Sequence, residues 1–550
     1  MKKVKLIAWI SLSVIAMLVV LMWERPSAVI MLENNYPVMK LDCAGYKETL
    51  KAWYQKDGSC HFFLPAYAED VEKVMLEGDA GKYSLQEEIF FAGAPVKIHV
   101  SSNLPAVFID TKSGNNAVLD EDKEVKEAGT VKIVSCEGEF LFKDEMDYIT
   151  GRGNSTWNFD KKPYTLKLKN AVSLCGMKPG EKWVLLANAY EGTKISYKMV
   201  LDMAEHMGLE YTPEAEWVDL YMNGEYRGNY LLCKAIYIGS GSMDIAGGGI
   251  LLEKDFPDYF EDEEHGFIIN DGLTFSVKAP SDITGEEIKN IAEAFQEIDI
   301  LLREGNKTCL DYLHTDSMIN RFLIDELAYN SDTGITSTFF YKKPDSAQIM
   351  SGPVWDYDGS FGESNGEWLN YEGSVLDIKN SSRGYMYLDW VNLLYENDED
   401  FHDAVVNRYQ EIKPYLQGLL ENGIDEYADY IRTSVEMDMI RWDYGENTAG
   451  HYSSFENNVR FLKFFLAKRM SLLNTRWGLE QQEEPVLGNG EVHTVRFELD
   501  GNVYEEQVQD GDFLQNLPEI EGVVWRYSRD ERRYSEFLPI FEDMTLVGEY

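Results

Sequence analysis

Apolar positions change rhythm several times along this chain of 550 residues. From Leu6 to Trp23 they are unbroken by any charge, with Lys2, Lys3 and Lys5 before them and Glu24, Arg25 and Pro26 after. A helix of those 18 residues would rise about 27 Å, close to the roughly 30 Å of a hydrocarbon core. Lysines ahead of such a span predict a cytoplasmic N-terminus and an exported body. A cleaved signal peptide is the alternative, although its apolar stretch is usually about 7–15 residues and Pro26-Ser27-Ala28 is a poor cleavage site. Either way residues 1–28 act as anchor or signal, and the rest is expected at the cell membrane, outside the cytoplasm, or secreted.

Beyond residue 28 the pattern shortens. His61-Phe62-Phe63-Leu64 and the alternating Val96-Lys97-Ile98-His99-Val100 read as strands, giving a small β domain over 29–98. A second strand-rich stretch begins at Leu104-Pro105-Ala106-Val107-Phe108-Ile109 and runs to about 170. From about 284 the spacing becomes helical: Ile288, Ile291, Ala292, Phe295 and Ile298 share a face, and 316–330, 386–421, 424–442 and 453–477 behave alike. Strands first and helices after predict one α+β domain over 99–480. Gln481–Glu491 reads as a linker, and Val492–Leu499, Val503–Val508 and Val523–Tyr527 as strands of a separate module over 492–550.

Composition narrows the partners. The net charge of −44 is spread along the chain, which argues against nucleic acid and suits bound divalent cations. Aromatic residues at 13% argue for packed domains over disorder. The six cysteines contain no CxxC, so a zinc site is not expected; Cys43 and Cys60 are the one close pair, readable as a disulfide or as free thiols.

Three segments carry candidate chemistry. Gly151-Arg152-Gly153-Asn154-Ser155-Thr156-Trp157 is a glycine turn with exposed amides and hydroxyls, followed by Lys161, Lys162, Lys167 and Lys169 on a strand. Such a turn can wrap phosphate oxygens, and a strand lysine can neutralise them. Asn330-Ser331-Asp332 ends a predicted helix, and Asp332 could accept a proton from an attacking hydroxyl. In Trp355-Asp356-Tyr357-Asp358-Gly359 the two aspartates share a face of an extended chain and suit Mg²⁺ or Mn²⁺. Singly, each segment also reads as a solvated hairpin or as aspartates capping turns.

Together and in this order the segments resemble the CotH kinase family, named for a spore coat protein. The resemblance spans roughly 104–478 and includes Arg152-Gly153-Asn154-Ser155, Lys161-Lys162-Pro163-Tyr164, Lys182–Asn188, Asp219–Tyr230, Gly249–Glu253 and Pro353–Asp358. It implies an atypical protein-kinase-like fold, strand-rich then helical, that uses ATP with Mg²⁺ or Mn²⁺. By position it implies Asp332 as catalytic aspartate, Asp356 as metal ligand, Asp358 as a second, and Arg152, Asn154, Ser155, Lys162 and Lys167 around the phosphates. Residues 492–550 are similar to the small β-grasp repeat of Listeria-type surface proteins. The chain departs from the family where Asp, Arg-Asn, Glu and Asn are usual: it holds Glu191, Ser196-Tyr197, Lys234 and Ser337. A glutamate restored at 234 would be expected to raise activity. The implied function is a membrane-anchored kinase acting on Ser or Thr of exported, surface or coat proteins. The alternative is a non-catalytic pseudokinase or surface scaffold, and a third reading is another transfer or a hydrolysis at the same acidic site.

Overall fold

In a computed structural model the protein is described from residue 26 to 550, apart from 80, 240, 246, 258–259, 261–264, 271, 331, 364–370, 379–386, 443–449, 482–487, 519 and 530. The expected span at 6–23 lies outside these residues, as does most of the linker. Among the described residues no helix is long and apolar enough to cross a membrane.

Alternating apolar residues build the first layer. Ser27–Glu33 lies between Tyr36–Cys43 and Lys73–Leu76 in one sheet, while Cys60–Leu64 pairs in parallel with Ala94–Val100 in another. Their common core takes in Phe62, Phe63 and Leu64 and extends onto Phe108, Val134 and Tyr221 of the next layer. All six cysteines are free, and Cys43 donates to the Tyr67 carbonyl, not to Cys60.

That next layer is a closed barrel of Ala106–Thr111, Lys126–Val134, Phe140–Gly151, Tyr164–Val172, Gly180–Leu186, Glu225–Lys234 and Ala215–Met222. The parallel pairing of Ala106–Ile109 with Asp219–Met222 closes it, which removes the unpaired edges an open sheet would present. Period two sends Val107, Ile109, Ile149, Leu166, Trp183, Leu185, Tyr230 and Leu232 into one core. Trp217, Leu231 and Cys233 point the other way, into the helical core.

The helices pack on a five-stranded sheet, ordered Gly266–Ile269, Leu273–Ala279, Ile250–Lys254, Thr338–Lys342 and Ile349–Ser351, and the expected order of strands first and helices after gives way to interleaving, because helices Gly285–Arg303 and Thr315–Ala328 precede its last two strands. Helix Gly285–Arg303 starts at a capping box formed by Thr284 and Glu287. Helix Thr315–Ala328 departs from the one-sided pattern: every residue from Ser317 to Ala328 is buried. Its polar residues are not a solvent face but internal ion pairs, Arg321 with Asp325 at 2.9 Å and Glu326 with Arg469 at 3.2 Å. Helix Phe455–Arg476 lies in the same core.

Helix Ile424–Trp442 docks on the barrel through polar groups. Asp438 accepts from the Asn229 amide at 3.0 Å and pairs with Lys161 at 2.7 Å, both side chains being fully buried. Lys161 also donates to the Asn229 carbonyl at 2.5 Å. Gly228 makes this possible: its φ is +108°, and a Cβ there would sit 1.9 Å from Asp438 Oδ1.

The C-terminal strands Asn502–Gln509, Val492–Leu499, Met544–Glu549 and Val524–Tyr527 form a mixed sheet whose Val495, Phe497 and Leu546 join the helical core. Arg460 pairs with Asp510 at 2.5 Å, and Tyr452 donates to the Pro539 carbonyl at 2.6 Å. Arg532 and Arg529 donate to the carbonyls of Gly450 and His451, and His451 meets the Gly362 carbonyl.

Lys161→Met is expected to cost about 3–5 kcal/mol by leaving Asp438 buried and uncompensated. Adding Asp438→Leu should recover most of that. Urea unfolding of the three variants measures both.

Candidate active site

Two loops converge because one carboxylate holds them. Asp325, in the last turn of helix Thr315–Ala328, accepts from Arg321 at 2.9 Å, from Thr333 at 2.6 Å and from the Tyr357 hydroxyl. Thr333 belongs to the loop that carries Asp332, and Tyr357 stands between Asp356 and Asp358. Both loops are therefore fixed to the same helix end, where Tyr329 adopts the left-handed conformation (φ 46°) and ends the helix.

The result is an acidic group. Asp332 and Asp356 are exposed and Asp358 is half-buried. Burial, then the charges of Asp356 and Asp332, push the Asp358 carboxyl up to about 8, against the pull of Arg152. Asp356 has a φ of 68°, a costly value for a residue with a Cβ. It is held by its amide, which donates to the Tyr197 hydroxyl at 3.2 Å, and by Ser337, which donates to its carboxylate at 2.9 Å. Tyr190 joins this group to the glycine turn: its hydroxyl bonds Ser155, and its pKa is raised by burial and by Asp358, Asp356 and Asp332.

The glycine turn is built around Trp157. A Cβ at Gly151 would meet the Trp157 ring at 2.4 Å, and one at Gly153 would meet the Thr156 hydroxyl at 2.2 Å. Asn154 is exposed at the start of the short Ser155–Asn158 turn. Arg152 leaves the turn toward the acids, its guanidinium 5.3 Å from the centre of the Trp355 ring.

The lysines separate into different roles. Lys161 is the buried partner of Asp438 and lies away from solvent. Lys162 folds back on its own loop, donating to the Trp157 carbonyl at 2.7 Å and covering that ring. Lys167 pairs with Glu181 at 2.5 Å. Strand pairing sets Lys167 directly opposite Lys182, and burial together with Arg152, Lys167 and Lys126 lowers the Lys182 pKa. Lys182 makes no ion pair among the described residues, so a basic cluster, Arg152, Lys167 and Lys182, adjoins the acidic one. Sequence reasoning passed over Lys182 and Tyr190. Lys182 stood in a quoted block, but only the pairing with Lys167 shows what it adjoins.

The departures also find physical places. Glu191 is fully buried, accepts from the Tyr197 amide at 3.0 Å, and has its pKa raised well above the usual range by burial, Glu363 and Asp358. Lys194 is buried beside it and donates to the Asn188 carbonyl at 2.7 Å. Lys234 lies at the barrel rim, paired with Glu214 at 3.2 Å over Trp183. A glutamate at 234 would face Glu214, so the gain expected from the sequence gives way to a like-charge contact.

Among the described residues no group of three or more His, Cys, Asp or Glu is assembled to hold a metal by itself. A pair of aspartates beside a basic cluster still fits a Mg²⁺-type ion, which takes one or two carboxylates and fills its sphere with water and phosphate oxygens.

Comparison with known proteins gives two findings. The sequence model of the CotH kinase protein family matches residues 149–473. Among solved structures, a Helicobacter pylori proinflammatory kinase, CtkA, is similar at 12% identity, covering 57% of this chain and 93% of its own, with a TM-score of 0.28. That overlap is too loose to place any residue. No curated protein matches the chain.

Asp358 sets a pH dependence. Between its ordinary value of 3.8 and about 8 the folded protein keeps a proton that the unfolded chain releases. Its contribution to stability is therefore full below about pH 4 and is lost as pH rises toward 8, by up to about 1.4 kcal/mol per pH unit. Thermal melts from pH 5 to 8.5 should show this slope on top of that of the other buried carboxyls, Asp219, Glu253 and Glu363, whose pKa values are also raised; Asp358→Asn should remove its share, and Mn²⁺ should offset that share at the alkaline end. Lys234→Glu should lower stability by about 1–3 kcal/mol, read by the same melts.

Proposed function

Because this chain belongs to the CotH kinase family, we propose that it is a metal-dependent protein kinase. It would be anchored through residues 6–23 and would phosphorylate Ser or Thr of exported, surface or coat proteins. The kinase-like function follows from the family. One observation supports the chemistry above the others: an acidic trio, Asp332, Asp356 and Asp358, meets a basic cluster through Arg152.

The residues divide the work as phosphoryl transfer requires, by positioning and electrostatics more than by covalent help. Arg152 and Lys182, with Ser155 of the glycine turn, would hold phosphate oxygens. Asp356 and Asp358 would hold a Mg²⁺ or Mn²⁺ ion, whose chemistry is to neutralise charge developing on the phosphates of bound ATP. Asp332, exposed and next to that pair, would orient the acceptor hydroxyl and take its proton at the carboxylate. Tyr190 and Ser155 keep the turn against the acids, and Ser337 holds Asp356 where the family's usual Asn would stand.

A second reading, a pseudokinase or surface scaffold, draws on Glu191. Its carboxyl is fully buried and raised in pKa, with one oxygen accepting from the Tyr197 amide, so it would bring no negative charge to the site. On that reading the C-terminal module, proposed as a Listeria-type surface repeat, would carry the function.

Calorimetric titration of the full chain with ATP and Mn²⁺ should show metal-dependent binding that Asp356→Ala abolishes, and Lys182→Met should weaken it about tenfold or more. Asp332→Asn should keep that binding but lower phosphotransfer about 10²–10⁴-fold, read with labelled ATP on exported proteins. No binding in the parent protein would transfer the case to the scaffold.

A further inference from the structure

A second pocket sits on the sheet that carries the active-site loops, at its other end. It measures about 480 Å³ and lies between helix Gly285–Arg303 and the ends of strands Ile250–Lys254 and Thr338–Lys342. Ile250, Ile283, Ile291, Phe295, Tyr312 and Ile349 line it. Four of these, Ile250, Ile283, Ile291 and Tyr312, remain partly exposed, which leaves apolar surface uncovered between the helix and the sheet. The volume is that of a small-molecule pocket, typically about 300–1,000 Å³, and too small for a folded partner. An apolar lining of this kind is poorly suited to ordered water, which needs polar partners.

The polar groups in the lining select among apolar ligands. Lys342 is half-buried and makes no ion pair among the described residues. Glu287 is the carboxylate of the lining, and it is already engaged, accepting from the Thr284 amide at 2.8 Å and hydroxyl at 2.6 Å. The cavity thus offers an unpaired ammonium beside an apolar slot, complementary to a ligand with a hydrocarbon chain and one acidic end. We propose that this cavity binds an anionic amphiphile, its acyl chain among the isoleucines and its acid group on Lys342. The site is separate from the phosphoryl-transfer centre, and the proposal does not depend on the kinase reading.

The strand gives the two places a mechanical link. Lys342 closes one end of Thr338–Lys342, and Ser337, which holds Asp356, precedes the other. Five residues of strand separate them by about 13–17 Å.

The test uses the full chain in phosphatidylcholine nanodiscs with a diazirine-bearing long-chain fatty acid, and maps photolabelled residues by mass spectrometry. Beyond the apolar N-terminal run, labels should concentrate on residues 283–298 and 338–349. Ala294→Phe, which fills the slot, should remove them. Lys342→Glu should reduce them about fivefold, the worth of an ion pair of about 1 kcal/mol. Unlabelled fatty acid should compete, and the neutral alcohol of the same chain should not. Thermal melts of both variants verify folding. Labels spread evenly over the surface, or unchanged in two folded variants, or displaced equally by the alcohol, would overturn the proposal.

Discussion

The Asp325 carboxylate is where the local order of this protein begins. It is buried at the end of a helix that is itself surrounded, and it collects donors from Arg321, from Thr333 and from Tyr357. A buried carboxylate is tolerable only when donors surround it, and here they come from two loops that would otherwise be free to move independently. The energetic need of one charge therefore sets the spacing of the three site aspartates. Those aspartates repel one another, and the clamp holds them together against that repulsion.

The same division of labour recurs at the join between barrel and helices. Lys161, Asn229, Asp219, Ser434 and Asp438 form a polar seam where apolar packing would have sufficed for adhesion. Ser434 donates to Asp219 at 2.7 Å and Asn229 donates to Ser434 at 3.0 Å, so the seam is directional. A directional seam fixes how the barrel, with Arg152 and Lys182, faces the lobe with the aspartates. Packing alone would allow sliding, and a slide of one residue would separate the two charge clusters.

Much of this was legible in the sequence, and the failures have physical causes. An apolar run marks the strand at 61–64, period two marks 96–100, the apolar segments 492–499 and 503–508 mark strands of the C-terminal sheet, and helical spacing marks 288–298 and 424–442, all of which the structure forms. Helical spacing over 316–330 speaks only for one apolar face; the structure buries the other side of helix Thr315–Ala328 too, because Arg321 pairs with Asp325 and Arg469, far along the chain, pairs with Glu326. The aspartates were legible because their chemistry is local: two in Asp-Tyr-Asp, one after a helix end. The roles of adjacent lysines were not. Lys161 is structural only because residue 438 arrives from the far side of the fold, and Lys182 matters only because strand pairing sets it opposite Lys167. Sequence distance hides both facts.

The way the C-terminal sheet is seated bears on how the protein can be dissected. Arg529 and Arg532 grip the carbonyls of residues 450 and 451, and Gly450 lies so close to Gly192 that a Cβ on Gly192 would come within 2.7 Å of its Cα. Gly192 in turn donates to Glu363 at 3.2 Å, at the end of the loop that carries Asp356 and Asp358. The terminal module is thus a wedge behind the reaction centre, three contacts removed from its aspartates. Cutting it off would not subtract an accessory; it would unload the wall against which the centre rests. Modularity in the sequence and separability in the molecule are different properties, and this chain has the first without the second.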